Sequence, residues 1–145
     1  MTRIHAEAST VVDAAPEIIY EIIRDYNSGH PHILSEQYFS DLQIEEGGLD
    51  DGTVVRFTTK LAGGEKRWRV RIDEVEPGHK IAERDLNSDK VTTFTVSPSE
   101  SGRSLVKIET DRTASPGLLR KVYQAELRQL GEFSASFAAR KAHAS

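Results

Sequence analysis

Cysteine is missing from all 145 residues. The chain therefore has no disulfide, no thiolate metal site and no cysteine nucleophile. Long apolar runs are missing too. None approaches the roughly 18 residues of a membrane-spanning helix, and Met1 to Glu7 carries no signal-peptide core. These absences predict a chain without stable membrane insertion, placed in the reducing cytoplasm. Basic charge is in short supply: 19 Lys and Arg against 23 Asp and Glu leave a net charge of −4. A general nucleic-acid binder needs a concentrated basic face, so nucleic acid is not expected as a partner.

Apolar residues are scarce as well, at 37% against about 45–50% in ordinary domains. They nevertheless recur with clear periods, which argues against disorder and for a thin core compatible with a cavity. No repeat, linker or low-complexity stretch divides the chain. Residues 1–145 are expected to form one domain, long enough to bury about 68–70% of the unfolded surface.

Ile4 to Val12 alternates as a strand. Pro16 then suits the first position of a helix that carries Ile18, Ile19, Ile22 and Ile23 at helical spacing. Tyr26 to Ser35, broken by Asn27, Gly29 and Pro31, reads as a loop with at most a short second helix. Six strands follow, at 38–45, 53–61, 66–75, 80–86, 91–96 and 104–111. The turns between them include Gly63-Gly64, suited to a tight hairpin, and Pro77-Gly78, suited to the centre of a type II turn. Ser115-Pro116 starts a last helix running to about Ala142. On it Leu119, Val122, Tyr123, Leu127, Leu130, Phe133 and Phe137 share a stripe of about 140°. One apolar helix stripe against one sheet face makes a two-layer α+β arrangement.

The phrase Val12-Asp13-Ala14-Ala15-Pro16-Glu17-Ile18-Ile19-Tyr20, with Ile22, Ile23 and Asp25 after it, resembles the opening of the START-like, helix-grip (SRPBCC) superfamily. It looks closest to the polyketide cyclase/dehydrase and lipid-transport branch, and the element order extends the likeness over nearly the whole chain. The resemblance implies a seven-stranded curved antiparallel sheet wrapped around the long C-terminal helix, with two short helices after strand 1. It also implies a hydrophobic cavity, though not one chemistry, since the superfamily spans carriers, cyclases and chaperone-activating modules.

Period two places Trp68, Val70 and Ile72 on one strand face and Arg67, Arg69 and Arg71 on the other. The arginines are expected on a solvated convex face, where Glu83 and Asp85 of the next strand are candidate partners. Phe57, Trp68, Val70, Phe94 and Ile108 from the sheet, with Leu119, Tyr123, Leu127 and Leu130 from the helix, are the candidate ligand-binding wall. A filled core is the alternative for each of them. The strand 80–86 has two registers: Ala82, Arg84 and Leu86 inward, or Ile81, Glu83 and Asp85. Glu126 lies near the middle of the apolar helix stripe, where a buried charge needs a partner or a neutral form. It is the candidate polar anchor, with Arg84 its expected partner.

His30-Pro31-His32 lacks a clear third metal ligand, and Gly47-Gly48 to Gly52 lacks the lysine and helix of a phosphate loop. No metal and no cofactor is expected, and no catalytic triad is visible, so catalytic residues stay unknown. The chain reads as a binder of an apolar or aromatic small molecule, a lipid or polyketide-like metabolite. An aromatic cyclase or dehydratase is the first alternative and a protein-interaction module without ligand the second. Oligomeric state is not legible. Because Trp68 is the only tryptophan and falls on the candidate wall, apolar ligands should shift its emission, whereas a solid core should leave it unchanged.

Overall fold

The computed structural model describes residues 5–49, 51–61, 64–111, 113 and 115–144. Strand β1 (Ala6–Val12) leads into helix α1 (Pro16–Arg24), with Pro16 in its first turn. Ile19, Ile22 and Ile23 are buried on one face of this helix. Asp25 then closes the chain into a turn. Its carboxylate accepts the backbone N–H of Asn27 at 2.9 Å and of Ser28 at 3.0 Å, the local bonding that favours Asp in turns. Its carbonyl accepts from Gly29 and His30. One turn of 3-10 helix, His30–Ile33, fills the segment that the sequence leaves as a broken loop.

The remaining strands are β2 (Phe39–Glu46), β3 (Val54–Leu61), β4 (Gly64–Glu76), β5 (Lys80–Asp85), β6 (Val91–Pro98) and β7 (Ser104–Thr110). They form one seven-stranded antiparallel sheet in the order β1-β7-β6-β5-β4-β3-β2. At the Pro77-Gly78 turn, Gly78 has φ 85° and the His79 N–H bonds the Glu76 carbonyl at 2.9 Å. The positive φ is what a type II turn demands at its third position. Gly63 of the Gly63-Gly64 hairpin lies outside the described residues. In β2, Asp41 sits at φ 57° where the pairing slips between Ser40 and Gln43. Such a bulge bends and twists its strand, helping the sheet to curve.

Helix α2 (Pro116–Ala144) lies on the concave face. Val122, Tyr123, Leu127 and Leu130 are buried, while Arg120, Lys121, Gln124, Arg128 and Glu132 are exposed, as the stripe predicts. Its close approaches are to β1, to the 3-10 turn and to α1. The β1 residues facing inward there include Ala6 and Ala8, whose single methyl groups let a helix come near. Gln129 Nε2 donates to the His32 and Leu34 carbonyls at 3.1 and 3.2 Å, tying the helix to the turn. Among the described residues no helix is long and apolar enough to cross a membrane.

Two glycines give opposite expectations. A Cβ on Gly29 would collide with the Ile22 carbonyl oxygen and stand 3.0 Å from Ile22 Cα, whereas one on Gly131 in α2 meets nothing within 4 Å. In denaturant unfolding, Gly29→Ala should destabilise by about 1–3 kcal/mol. Gly131→Ala should stabilise by roughly 0.5–1 kcal/mol, through helix propensity alone. Equal effects would refute the tight closure of the turn on α1.

Candidate functional site

Where α2 stands off the β2–β5 half of the sheet, a cavity remains. Its apolar wall includes Phe39, Leu42, Phe57, Leu61, Trp68, Val70 and Phe94 from the sheet, with Leu119 and Val122 from α2. The cavity measures about 90 Å³, and the empty space out through its open mouth totals about 840 Å³. The cavity is thus smaller than the roughly 300–1,000 Å³ of an ordinary ligand site.

Seven of the eleven sequence-selected residues line this space: Phe57, Trp68, Val70, Phe94, Leu119, Tyr123 and Glu126. Ile108, Leu127 and Leu130 do not. They are 1%, 4% and 1% exposed and belong to the packed core with Ala6, Ala8 and the α1 isoleucines. Contrary to expectation, Arg84 does not face the cavity or Glu126. It lies exposed on the outer face, pairs with Asp73 and neighbours Arg71 across the strands. Ile81, fully buried opposite Phe94, takes the inward register of β5, and period two then carries Glu83 and Asp85 inward. For the same reason the convex arginines find other partners. Arg69 meets Glu45 at 2.7 Å and Arg71 meets Asp73 at 3.1 Å.

The polar lining includes residues that sequence reasoning did not place there. The Asp25 turn drops Tyr26 and His30 inside, where their rings stack at 4.1 Å and His30 meets Phe94 edge-on at 5.3 Å. Tyr26 Oη donates to Glu83 Oε2 at 2.6 Å, a charge-assisted bond when Glu83 is ionised. His30 Nδ1 lies 2.8 Å from the Ile23 carbonyl, which only accepts, so Nδ1 carries the proton. Burial holds this imidazole down at about 4, against the pull of that bond. His30 is therefore neutral near pH 7, and its 3.7 Å approach to Glu83 is no ion pair. On the far side Thr92 and Thr110 hydroxyls meet at 2.7 Å, and Thr110 bonds Tyr123 Oη. Burial, above all, raises the Tyr123 phenol beyond its ordinary range.

Glu126 is 3% exposed, and its Oε2 has no hydrogen-bond partner. Burial, reinforced by the charge of Glu83, pushes its carboxyl well above the usual range, which favours its protonated form. Burial lifts Glu83 to about 7, with the Tyr26 bond opposing the rise. Two carboxyls that burial raises thus face one cavity, Glu83 with a bond that opposes the rise and Glu126 with an oxygen that has no partner, an arrangement suited to acid–base work. At the mouth, Trp68 donates to Thr59 at 2.9 Å, and the Lys66 ammonium sits 3.9 Å over its ring.

The two histidines of His30-Pro31-His32 do not converge. His30 is buried, whereas the His32 ring is stacked on Phe133 at 4.3 Å. Among the described residues the one grouping with metal-ligand geometry is the largely exposed set His5, Glu7 and Glu109 on β1 and β7. There His5 already bonds Asp111 at 2.6 Å.

A family model described as polyketide cyclase / dehydrase and lipid transport matches residues 3–140. No curated protein matches the chain. Among solved structures, the KanY protein is similar at 26% identity and a TM-score of 0.82, over 93% of this chain and 99% of that one. A major latex-like protein from Panax ginseng is 12% identical, with a TM-score of 0.74 over 91% and 97% of the two chains. The Zhui aromatase/cyclase from Streptomyces sp. R1128 is 18% identical, with a TM-score of 0.69 over 97% and 96%. The last two likenesses carry the fold alone.

The buried carboxyls make stability depend on pH in a defined direction. A carboxyl raised to about 7 in the folded state stabilises folding fully below its unfolded value. That contribution is lost as pH rises through 7. Relative to Glu83→Gln, the parent should lose up to about 3 kcal/mol between pH 4.5 and 8. Parallel unfolding curves at both pH values would refute the shift. Glu126→Leu, which removes an unpartnered buried oxygen, should stabilise by about 1 kcal/mol.

Proposed function

Because the chain belongs to the polyketide cyclase / dehydrase and lipid transport family, we propose that its cavity binds a compact, neutral aromatic or alicyclic molecule carrying a hydrogen-bond acceptor. The observation behind this reading is the Oε2 of Glu126, unpartnered and buried on the cavity lining that Leu119 and Val122 of α2 share. A polar group left so is costly unless something completes its bonding, and a neutral carboxylic acid completes it by donating to an acceptor. The modest cavity volume favours a ring-sized, polyketide-like ligand over a long lipid chain. Glu83, partly ionised near pH 7, disfavours an anionic group at the same depth. Residues 1–145 act as one domain in this reading, in the cytoplasm and without cofactor.

A second reading, an aromatic cyclase or dehydratase, has its own support. Two buried carboxyls on one cavity lining, both raised by burial and only one of them opposed by a hydrogen bond, are more than a carrier requires. An interaction module without ligand is disfavoured by the void itself.

A matched pair of ligands tests the binding reading by calorimetry and Trp68 emission. At pH 8, 2-tetralone should bind at least about tenfold more tightly than the tetrahydro-2-naphthoate anion of the same skeleton, a difference of about 1.4 kcal/mol. Glu126→Leu should narrow that gap. Equal affinities in parent and variant, or no binding of either molecule, would refute the anchor role of Glu126.

A further inference from the structure

We propose that Glu83 and Glu126 act together as base and acid to enolise a ketone held in the cavity, with Tyr26 as the residue that positions the base. This rests on the binding reading above and adds catalysis to it. The two carboxyls reach one space from opposite layers, Glu83 from β5 in the sheet and Glu126 from α2. Tyr26 fixes one oxygen of Glu83 through its 2.6 Å bond, while Glu126 presents an oxygen with no partner. A ring-sized ketone between them meets a proton donor at its oxygen and a base at its α carbon.

The step balances without a co-reactant. Glu83 carboxylate takes the α hydrogen, and the C–H electron pair becomes the new C=C bond. The carbonyl π pair moves to oxygen, which receives the Glu126 proton as an enol O–H. Glu83 is left protonated and Glu126 ionised, and reversal of the step restores both. In heavy water the hydrogen on Glu83 exchanges before it returns, so the α position acquires deuterium.

The charge state of Glu83 is set by burial, and burial lifts its carboxyl to about 7. The ionisable groups around it are Tyr26 before the 3-10 turn, His30 within that turn, Asp85 on the same strand and Lys90 ahead of β6. Tyr123 and Glu126 face it from α2. His30, held down at about 4, stays neutral across the range of interest, so it does not shape a profile near 7. The base works when ionised, so turnover must rise with pH through about 7.

The experiment follows loss of the α-proton signals of 2-tetralone and of 4-phenyl-2-butanone by proton NMR in heavy water. Saturation is set in each sample from Trp68 emission. The parent protein should exchange them about 100-fold faster than an equal concentration of acetate, within the range of general base catalysis. Glu83→Gln should lose most of that gain, and Glu126→Gln should slow exchange at least about tenfold. Tyr26→Phe, which removes the hydrogen bond that lowers the Glu83 value, should move the midpoint of the pH profile upward. Circular dichroism of each variant checks folding, and the Tyr26→Phe midpoint supplies a readout that does not depend on rate loss. Ketone binding without accelerated exchange, or exchange retained in Glu83→Gln, overturns the proton-transfer proposal and leaves the binding reading standing. Failure of the parent to bind either ketone overturns both.

Discussion

Helix α2 does not sit evenly on the sheet, and the site follows from that. At one edge β1 offers Ala6 and Ala8 to the helix, so backbone and backbone come close and apolar side chains interlock. Toward β2–β5 the sheet curves away and the inward residues are larger: Phe57, Trp68 and Val70 stand between the layers. Close packing on one side and bulky separation on the other leave a wedge between sheet and helix. The Gln129 bonds to the His32 and Leu34 carbonyls hold the helix against the 3-10 turn, so the wedge is kept open at its other end. A protein interior closes such gaps when its parts can slide together. Here the contact with β1 and the tie to the turn prevent it.

Inside that wedge, burial pushes His30, Tyr123, Glu83 and Glu126 each toward its neutral form. The His30 imidazole is held down, the Tyr123 phenol is pushed up, and both carboxyls are pushed up. What separates the two carboxyls is bonding. Glu83 accepts from Tyr26, which stabilises its anion and limits its rise. Glu126 has an oxygen without partner and the Glu83 charge facing it, so its anion gains nothing. A difference in local hydrogen bonding, set by where the Asp25 turn delivers Tyr26, thereby opposes the rise at Glu83 and leaves it unopposed at Glu126. The fold is shared by proteins as unlike as a major latex-like protein and an aromatase/cyclase. The fold alone therefore does not choose a function, and these few polar residues are what this chain adds to the sheet and helix that carry them.

Much of the architecture was legible in the residues because its signals are local. Alternation marks a strand, Pro16 and Pro116 mark helix starts, and the stripe from Leu119 to Phe137 marks one buried helix face. Each depends on near neighbours in the chain. The cavity wall was legible to the same extent: period two placed Phe57, Trp68, Val70 and Phe94 on inner faces, and the helical angle placed Leu119, Tyr123 and Glu126 inward. Which inward residues meet the void and which meet one another is not a local property. Ile108, Leu127 and Leu130 share the pattern of the lining residues, yet they fall where helix and sheet are in contact.

The sequence by itself determined the element order, the strand faces and the presence of a carboxylate in an apolar stripe. These follow from steric periods of two and 3.6 residues, which act within a few positions. Only the tertiary structure decided the register of β5. Ile81 and Ala82 are both apolar, and the choice between them was made by Phe94 across the strands, a partner that no local pattern identifies. That choice sent Arg84 out to Asp73 and brought Glu83 in. Likewise Tyr26 and His30 lie in a segment with no period at all. Their burial came from the Asp25 turn closing against α1 and from the layers that cover it. The polar heart of the site was therefore set by cross-strand pairing and turn closure, because a charge enters a core only where distant groups accommodate it.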